Sequence, residues 1–207
     1  MKVAIVGGTG AFGRALAARW QTLDGIDVTI GSRDPERAAQ QAAVIGVRGA
    51  ANADAVRDAD LVVLAVESRF AVDTARGLAD AIGDAIVLCV ASALNFGENG
   101  VAPGRAAGSI AEDVAELVHG PVVSGFQAIP AAQLARPDPL DEDALVCGND
   151  ADAKRIVLDL AKPLVRGRAI DAGCLANARA LEAMTAVILH VNRTYKVVAG
   201  IKLTGFK

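Results

Sequence analysis

A glycine-rich segment near the start of the chain has the spacing of a dinucleotide-binding loop. It reads Gly8-Thr9-Gly10-Ala11-Phe12-Gly13 and directly follows the apolar run 2–6. In such a loop the first glycine permits a tight turn, the second lets the backbone approach a pyrophosphate, and the third allows helix and strand to pack closely. The unpaired N–H groups and the dipole at the start of the following helix favour an anion. We therefore expect all six residues to contact a dinucleotide.

The end of the second predicted strand carries a hydroxyl and two guanidinium groups instead of a carboxylate. Its sequence is Ile30-Gly31-Ser32-Arg33, and Arg37 follows one helical turn later. NAD-dependent enzymes place an Asp or Glu here to hold the ribose 2′-hydroxyl. Arginine instead suits a phosphate, because its planar fork can bond two phosphate oxygens at once. Ser32, Arg33 and Arg37 therefore predict NADP(H) as the dinucleotide, with Asp34 as the cap of the next helix.

Residue patterns typical of other enzyme chemistries are missing from the sequence. Its two histidines, His119 and His190, lie far apart, and we expect both to be structural. There is no metal-ligand cluster and no GxSxG motif, so we predict no metal site and no catalytic side chain. Direct hydride transfer between two bound cofactors needs neither, because the cofactors supply the chemistry.

Short apolar runs alternate with longer amphipathic stretches, which predicts an α/β fold of the Rossmann type with a doubly wound, mostly parallel sheet. The predicted strands cover 2–6, 27–31, 61–66, 85–90, 121–125, 144–147 and 168–171, with a weaker strand near 47. The predicted helices cover 11–21, 35–45, 70–82, 109–118, 151–165 and about 175–198. The Gly-, Asn- and Ala-rich segment 93–108 predicts a long loop. We expect one domain over 1–207.

Composition and charge exclude several classes of partner. Hydrophobic residues make up 53% of the chain and aromatic residues 3%, so we expect an aliphatic core. A net charge of −3 with interspersed signs predicts no nucleic-acid or membrane surface. The apolar runs are shorter than the roughly 20 residues of a membrane span, and the first is too short for a signal peptide. Cys89, Cys147 and Cys174 lie in apolar runs, which predicts buried thiols and a cytoplasmic location.

Several further motifs follow one another along nearly the whole chain. They are Val6-Gly7-Gly8-Thr9-Gly10, Ile30-Gly31-Ser32-Arg33, Asp73-Thr74-Ala75-Arg76, Ile129-Pro130-Ala131-Ala132, Val146-Cys147-Gly148, Asp171-Ala172-Gly173, Asn177-Ala178-Arg179 and Gly200-Ile201-Lys202-Leu203. In this order they resemble the coenzyme F420-dependent NADP oxidoreductases. The resemblance implies hydride transfer between NADP(H) and F420, a deazaflavin, with no catalytic side chain of the protein.

The resemblance also implies positions for residues beyond the glycine loop. Four of them, near the ends of predicted elements, would lie along the nicotinamide half of NADP(H): Val66, Phe70, Ser92 and Ala131. The deazaflavin would enter between the carboxyl edge of the sheet and a C-terminal helical segment, about 174–207, that completes the cleft. There, Gln127 would donate a hydrogen bond to the ring and Ile129 would line the cleft.

The final predicted helix would hold the tail of the deazaflavin. Residues three apart share a helix face, so Arg179, Glu182 and Thr185 predict a polar stripe. The resemblance implies that Arg179 and Thr185 of this stripe bind the phosphate-bearing tail of F420.

Four positions on the substrate side depart from the pattern of the family. They are Glu67-Ser68-Arg69-Phe70 for a Pro-Trp-Glu-His type of sequence, Gln127 for histidine, Ala183 for serine, and Ala91-Ser92-Ala93-Leu94 for a turn containing proline. Two alternatives therefore stay open. One is an NADPH-dependent reductase of a small C=N or C=C substrate, and the other is a non-catalytic sensor that binds NADP.

The final helix also predicts a homodimer. Its apolar positions, Met184, Val187, Ile188, Leu189, Val191, Val197 and Val198, cover more of its girth than one narrow stripe. A helix that is apolar around most of its surface needs burial on several sides, and twofold dimers are the commonest assembly.

Overall fold

The computed structural model describes residues 1–98 and 100–206. Asn99, inside the segment predicted as a loop, and Lys207, at the end of the predicted C-terminal segment, lie outside the described residues. The strands are β1 Lys2–Val6, β2 Asp27–Ser32, β3 Arg48–Ala51, β4 Leu61–Leu64, β5 Ile86–Cys89, β6 Leu94–Gly97, β7 Gly100–Pro103, β8 Val122–Gly125, β9 Ala144–Gly148 and β10 Ala169–Asp171. The helices are α1 Ala11–Trp20, α2 Pro35–Ile45, α3 Asn52–Val56, α4 Ser68–Ile82, α5 Ile110–Ala115, α6 Ala131–Leu134, α7 Ala151–Ala161 and α8 Ala178–Tyr195, with 3₁₀ turns at Lys162–Leu164 and Leu175–Asn177.

Eight strands form one sheet in the order β10-β9-β8-β5-β4-β1-β2-β3. All neighbours pair in parallel except β8 and β9, which are antiparallel. The chain moves outward from β1 through β2 and β3 and then returns to the other side of β1 at β4. Such a reversal of strand order leaves a crevice at the carboxyl ends of the strands, where open α/β sheets bind ligands. The doubly wound Rossmann-type fold is confirmed.

Each face of the sheet is covered by its own apolar layer. Val3 and Ile5 of β1 pack into one layer together with Trp20 of α1. Ala4 and Val6, which point to the opposite face, pack into the other layer. Burial on both faces explains why the strand sequences read as continuous apolar runs instead of alternating ones.

The structure differs from the sequence prediction in several places. The segment predicted as a loop contains the antiparallel hairpin β6–β7, in which Gly97 pairs with Gly100 and the φ of Gly100 is +111°. This hairpin packs on α8. Helix α8 ends at Tyr195 because Lys196 adopts the left-handed conformation, with a φ of +54°. Cys174 is exposed, since it precedes a 3₁₀ turn at the surface, so its predicted burial is wrong.

The chain beyond α8 folds back onto the loop before β9. The Asp143 amide donates to the Ile201 carbonyl over 2.7 Å, and the Leu203 amide donates to the Asp143 carboxylate over 2.8 Å. The Gln133 side chain donates to the Val198 carbonyl over 2.9 Å. These contacts fix the far end of α8 relative to the sheet. None of the helices in the described ranges combines the length and apolarity that crossing a membrane requires.

Candidate dinucleotide site

The glycine loop between β1 and α1 is packed tightly against its neighbours. Gly7 makes the turn, with a φ of +80°, and a Cβ placed on it would lie 2.5 Å from the Ala65 carbonyl oxygen. A Cβ on Gly8 would lie 2.5 Å from the Cβ of Ile30 on β2. Gly7 supplies the positive φ of the turn, and Gly8 lies in the same turn as predicted, with its amide donating to the Ile5 carbonyl over 3.0 Å. Gly8 is required because β2 passes too close for a side chain.

The end of the loop leads directly into α1. A Cβ on Gly13 would lie 2.8 Å from the Gly7 carbonyl oxygen, so this glycine permits the close helix packing that the motif predicts. Gly10 precedes the helix without a capping side chain. Within the described ranges, the backbone N–H groups of Ala11 and Phe12 have no acceptor. An N-terminus of this kind can receive the oxygens of an anion.

Ser32, Arg33 and Arg37 lie at one end of a cleft of about 500 Å³ beside this loop. The Asp34 amide donates to the Ser32 hydroxyl oxygen over 3.1 Å, which leaves the hydroxyl proton available to a ligand. The Asp34 carboxylate accepts the Arg37 amide at 3.1 Å, and this confirms the predicted cap of α2. Both arginines are exposed, and neither forms an ion pair in the part of the chain that the structure describes.

Phe70 lies in the first turn of α4, at the same end of the cleft. The Arg33 guanidinium lies 5.6 Å from the centroid of the Phe70 ring, and the Arg69 guanidinium lies 4.6 Å from it. Cations in these positions are attracted by the negative face of the ring. The ring therefore belongs to the arginine end of the cleft, and its predicted place along the nicotinamide half is wrong. Val66, which follows β4, lines the same cleft, and its place along the nicotinamide half stays a prediction.

Three predicted residues meet at the other end of the sheet edge. The Ser92 and Thr185 hydroxyl oxygens are 2.9 Å apart, and the Thr185 hydroxyl donates to the Gln127 carbonyl oxygen over 3.2 Å. Ser92 follows β5, Gln127 follows β8, and Thr185 belongs to α8. This chain of hydrogen bonds holds α8 against the carboxyl ends of the two strands.

The Gln127 side chain cannot donate to a ligand ring as predicted. Its amide nitrogen donates to the Cys89 carbonyl oxygen over 3.1 Å and to the Ser124 hydroxyl oxygen over 2.8 Å. Cys89 and Ser124 are direct partners in the pairing of β5 and β8, so they present both acceptors together. The side chain is buried at 9% exposure and cross-links the two strands.

The two remaining residues predicted on this side differ in position. The Ile129 side chain is 4% exposed and packs in the core, and it also lines a small cavity together with Gln127 and Met184, so its place in the cofactor cleft stays a prediction. Its burial follows from the tight turn before it, in which the Ile129 amide donates to the Phe126 carbonyl. Ala131 is half-buried and begins the short helix α6.

Helix α8 is attached to α5 by two carboxylates. Arg179 binds the Glu112 carboxylate through both Nε, at 2.8 Å, and Nη2, at 2.6 Å, and this pairing lowers the pKa of Glu112. Glu182 is buried and accepts the Ala111 amide at 3.2 Å, while burial raises its pKa. The predicted polar stripe is therefore wrong at Glu182, which points inward because it satisfies the backbone at the start of α5.

A residue that sequence reasoning did not single out also lines the dinucleotide cleft. Asn52, the first residue of α3, lies beside Ser32, Arg33 and Arg37. The pairing of Ser32 with Ala51 places it there, since Asn52 directly follows Ala51. The weak strand signal near 47 gave no indication of this register.

Comparison with known proteins agrees with this geometry. Residues 2–93 match the family model described as NADP oxidoreductase, coenzyme F420-dependent. The F420-dependent NADP reductase of Methanocaldococcus jannaschii is 35% identical over 228 aligned positions, which cover 100% of both chains. The enzyme of the same name from Methanothermobacter thermautotrophicus is 34% identical and is matched over 99% of this chain and 95% of its own length.

Solved structures give the same result. A crystal structure from Arthrobacter sp. FB24, assigned as an F420-dependent NADP reductase, has a TM-score of 0.88 and 28% identity and covers 99% of this chain and 100% of its own. The imine reductase of Streptomyces aurantiacus, with 22% identity, a TM-score of 0.62 and coverage of 95% and 62%, shares the fold alone. The agreement over the full length of the curated relatives establishes the family. The chain belongs to the coenzyme F420-dependent NADP reductases.

Proposed function

We propose that the protein transfers a hydride between NADP(H) and coenzyme F420. The observation that carries this proposal is the cleft at the reversal of strand order. Among residues 1–98 and 100–206 the amide groups at one side of this cleft and the two guanidinium groups at the other have no hydrogen-bond partner. Full-length similarity to reductases that are named for both cofactors supports it. The chain would act as a single domain, with about 174–207 closing the cleft.

The cleft fits an NADP(H) molecule at its pyrophosphate and adenosine ends. The residues of the glycine loop, Gly8, Thr9, Gly10, Ala11, Phe12 and Gly13, would surround the pyrophosphate. Ser32 would donate its free hydroxyl proton to the 2′-phosphate, and Arg33 and Arg37 would neutralise the charge of that phosphate. Val66, Ser92 and Ala131 would face the nicotinamide half.

The second cofactor would lie between the ends of β5 and β8 and helix α8. Gln127 would form part of this wall by cross-linking the strands, and Thr185 would orient the adjoining groups through Ser92. Arg179 would meet the anionic tail. Because Glu112 already binds two of its N–H groups, such a tail would have to share or replace that carboxylate.

When bound, the two cofactors supply the hydride chemistry themselves. The residues of the chain would hold the two rings in contact and exclude water. Orientation of this kind can lower a barrier by about 7–11 kcal/mol. We expect no side chain to change its protonation state in the hydride step. Glu182, a buried carboxyl group of α8, already accepts the Ala111 amide.

We expect direct transfer of label when NADPH carrying deuterium at the transferred position is mixed with oxidised F420 and the protein. The visible absorbance of the deazaflavin should disappear, and the deuterium should be found in the reduced deazaflavin. Appearance of the label in solvent, or no reduction of F420, would contradict the proposal and favour a reductase of a small C=N or C=C substrate.

Arg179→Ala should raise the KM for F420 about tenfold or more and leave the KM for NADPH unchanged. Arg193→Ala, which removes another exposed charge from α8, is the control.

We also propose a homodimer formed through the outer side of α8 and the chain beyond it. Met184 and Val187 on the helix and Val197 and Val198 after it are between 39% and 56% exposed. Light scattering should give twice the 21.1 kDa mass of one chain. Val187→Glu should shift the mass toward that of the monomer, whereas Val44→Glu, on the exposed side of α2, should not. A monomer mass for the unmodified protein at micromolar concentration would contradict this.

A cytoplasmic location fits this function. All three cysteines are free thiols, as is usual in a reducing compartment. Burial raises the pKa of Cys89 to about 12 and that of Cys147 to about 11, so neither is present as a thiolate near neutral pH.

A further inference from the structure

The Asn52 side chain has one buried polar atom, Oδ1. Neither of its two polar atoms has a hydrogen-bond partner among the described residues. Its Oδ1 has no hydrogen-bond partner within residues 1–98 and 100–206 and is shielded from solvent. The hydrogen bonds among these residues also include none from its Nδ2. Because the oxygen is shielded, the unpaired amide nitrogen is the atom with which a ligand in the neighbouring cleft could form a hydrogen bond.

The orientation of the amide follows from its contact with β2. Oδ1 lies over Gly31, where an added Cβ would be only 2.7 Å away. Glycine at this position therefore leaves room for the Asn52 side chain to lie across the end of the strand. Because the oxygen is shielded against Gly31 while Asn52 lines the cleft together with Ser32, Arg33 and Arg37, the amide nitrogen is the polar atom of this side chain that is left for a ligand in the cleft. The side chain thus presents a donor, and no acceptor, to the cleft.

We propose that Asn52 donates a hydrogen bond to the 2′-phosphate of the adenosine ribose and is a further determinant of the preference for NADP(H). The inference rests on the function proposed above. A phosphate offers three strong acceptor oxygens, and the Ser32 hydroxyl and two guanidinium groups approach the same end of the cleft. The amide adds a neutral donor whose direction is fixed by Gly31. A carboxylate of the same shape at this position would repel the phosphate and accept from a 2′-hydroxyl.

The test compares Asn52→Ala with Asn52→Asp by titrating cofactor fluorescence with NADPH and with NADH. Asn52→Ala should weaken NADPH binding about tenfold and change NADH binding less than about twofold, because a hydrogen bond to a charged group is lost. Asn52→Asp should weaken NADPH binding by about a hundredfold or more, for loss of the donor and added repulsion. Asn95→Asp, on the exposed hairpin, is the control for the change in net charge.

The outcomes separate this inference from the function on which it rests. If the wild type does not prefer NADPH over NADH, the assignment of NADP(H) itself fails. If the wild type prefers NADPH and Asn52→Ala keeps that preference within about twofold, the role of Asn52 is overturned. An equal loss for both cofactors would also overturn it, because a structural role predicts that result. Should Asn52→Asp fail to fold, the ratio measured with Asn52→Ala decides.

Discussion

The double variant Arg33→Ala/Arg37→Ala is expected to bind NADPH roughly a thousandfold more weakly than the wild type, while NADH binding changes little. Both guanidinium groups are exposed and have no carboxylate partner in the described ranges, so their charge is available to a ligand. Arg33 is also oriented by the Phe70 ring beneath it. The preference for NADP(H) should therefore fall mainly through loss of the phosphate site.

The size of this effect follows from the bonds that are lost. A hydrogen bond to a charged group contributes about 1.5–3 kcal/mol, so each arginine alone should account for a ten- to hundredfold change in affinity. The two effects need not add, because both groups would contact one phosphate. Salt should weaken NADPH binding to the wild type more than to the double variant, since exposed charges are screened.

Fluorescence titration with each cofactor measures both dissociation constants. Arg48→Ala is the matched control. Arg48 is exposed, pairs with Asp27 at 2.7 Å and begins β3, so it lies at the amino ends of the strands, away from the cleft at their carboxyl ends. Equal affinities of the wild type for NADPH and NADH would refute the assignment of the phosphate site. A loss in the control as large as that in the double variant would show that only net charge matters.

Asp143→Ala should lower the free energy of unfolding by about 3 kcal/mol. The Asp143 side chain is fully buried, whereas that of Arg168 is 37% exposed. The carboxylate accepts the Arg168 amide and Nη2 at 2.8 Å each, and the Leu203 amide at 2.8 Å. Its removal leaves two amides without their acceptor and takes the ion-pair partner from the Arg168 guanidinium, which still donates to the Leu203 carbonyl. The estimate lies at the low end of the range for broken buried pairs because water reaches Arg168.

Urea unfolding provides the measurement, and the midpoint should fall while the slope with denaturant stays the same. Asp141→Ala is the control, since Asp141 pairs with Lys202 of the same C-terminal segment but both side chains are more than half exposed. Exposed pairs contribute about 0–1 kcal/mol. Comparable losses in the two variants would contradict the distinction between the buried and the exposed pair.

Much of the fold could be predicted because both faces of the sheet are buried. The apolar runs that become β1, β4 and β5 differ clearly from the amphipathic helices between them. The direction of β9 could not be predicted, because a buried strand has the same composition whichever way it runs. The hairpin β6–β7 was missed because it packs on α8 instead of joining the main sheet, and a hairpin that packs on a distant helix leaves only a weak local pattern.

Site residues that belong to a local motif could be predicted from the sequence. Site residues that are positioned by contacts between distant segments could not. The glycine spacing and the arginines after β2 lie within a few residues of one another, so the sequence displays them together. The burial of Gln127 depends on the pairing of β5 with β8, and the inward direction of Glu182 depends on the start of α5. Asn52 enters the cleft only because of the register between β2 and β3. Each of these contacts joins residues that are distant in the sequence, so no local sequence pattern indicates it.

The close packing of Gly7, Gly8 and Gly13 has a consequence for the thermodynamics of cofactor binding. Each of these positions is held by backbone or by a core side chain at a distance that admits no Cβ. Fixing the backbone of one residue costs about 1–2 kcal/mol of conformational entropy. In this loop that cost is met once, when the chain folds, and not each time a cofactor molecule arrives. A cofactor that must leave after every turnover therefore returns to a loop that has kept its shape.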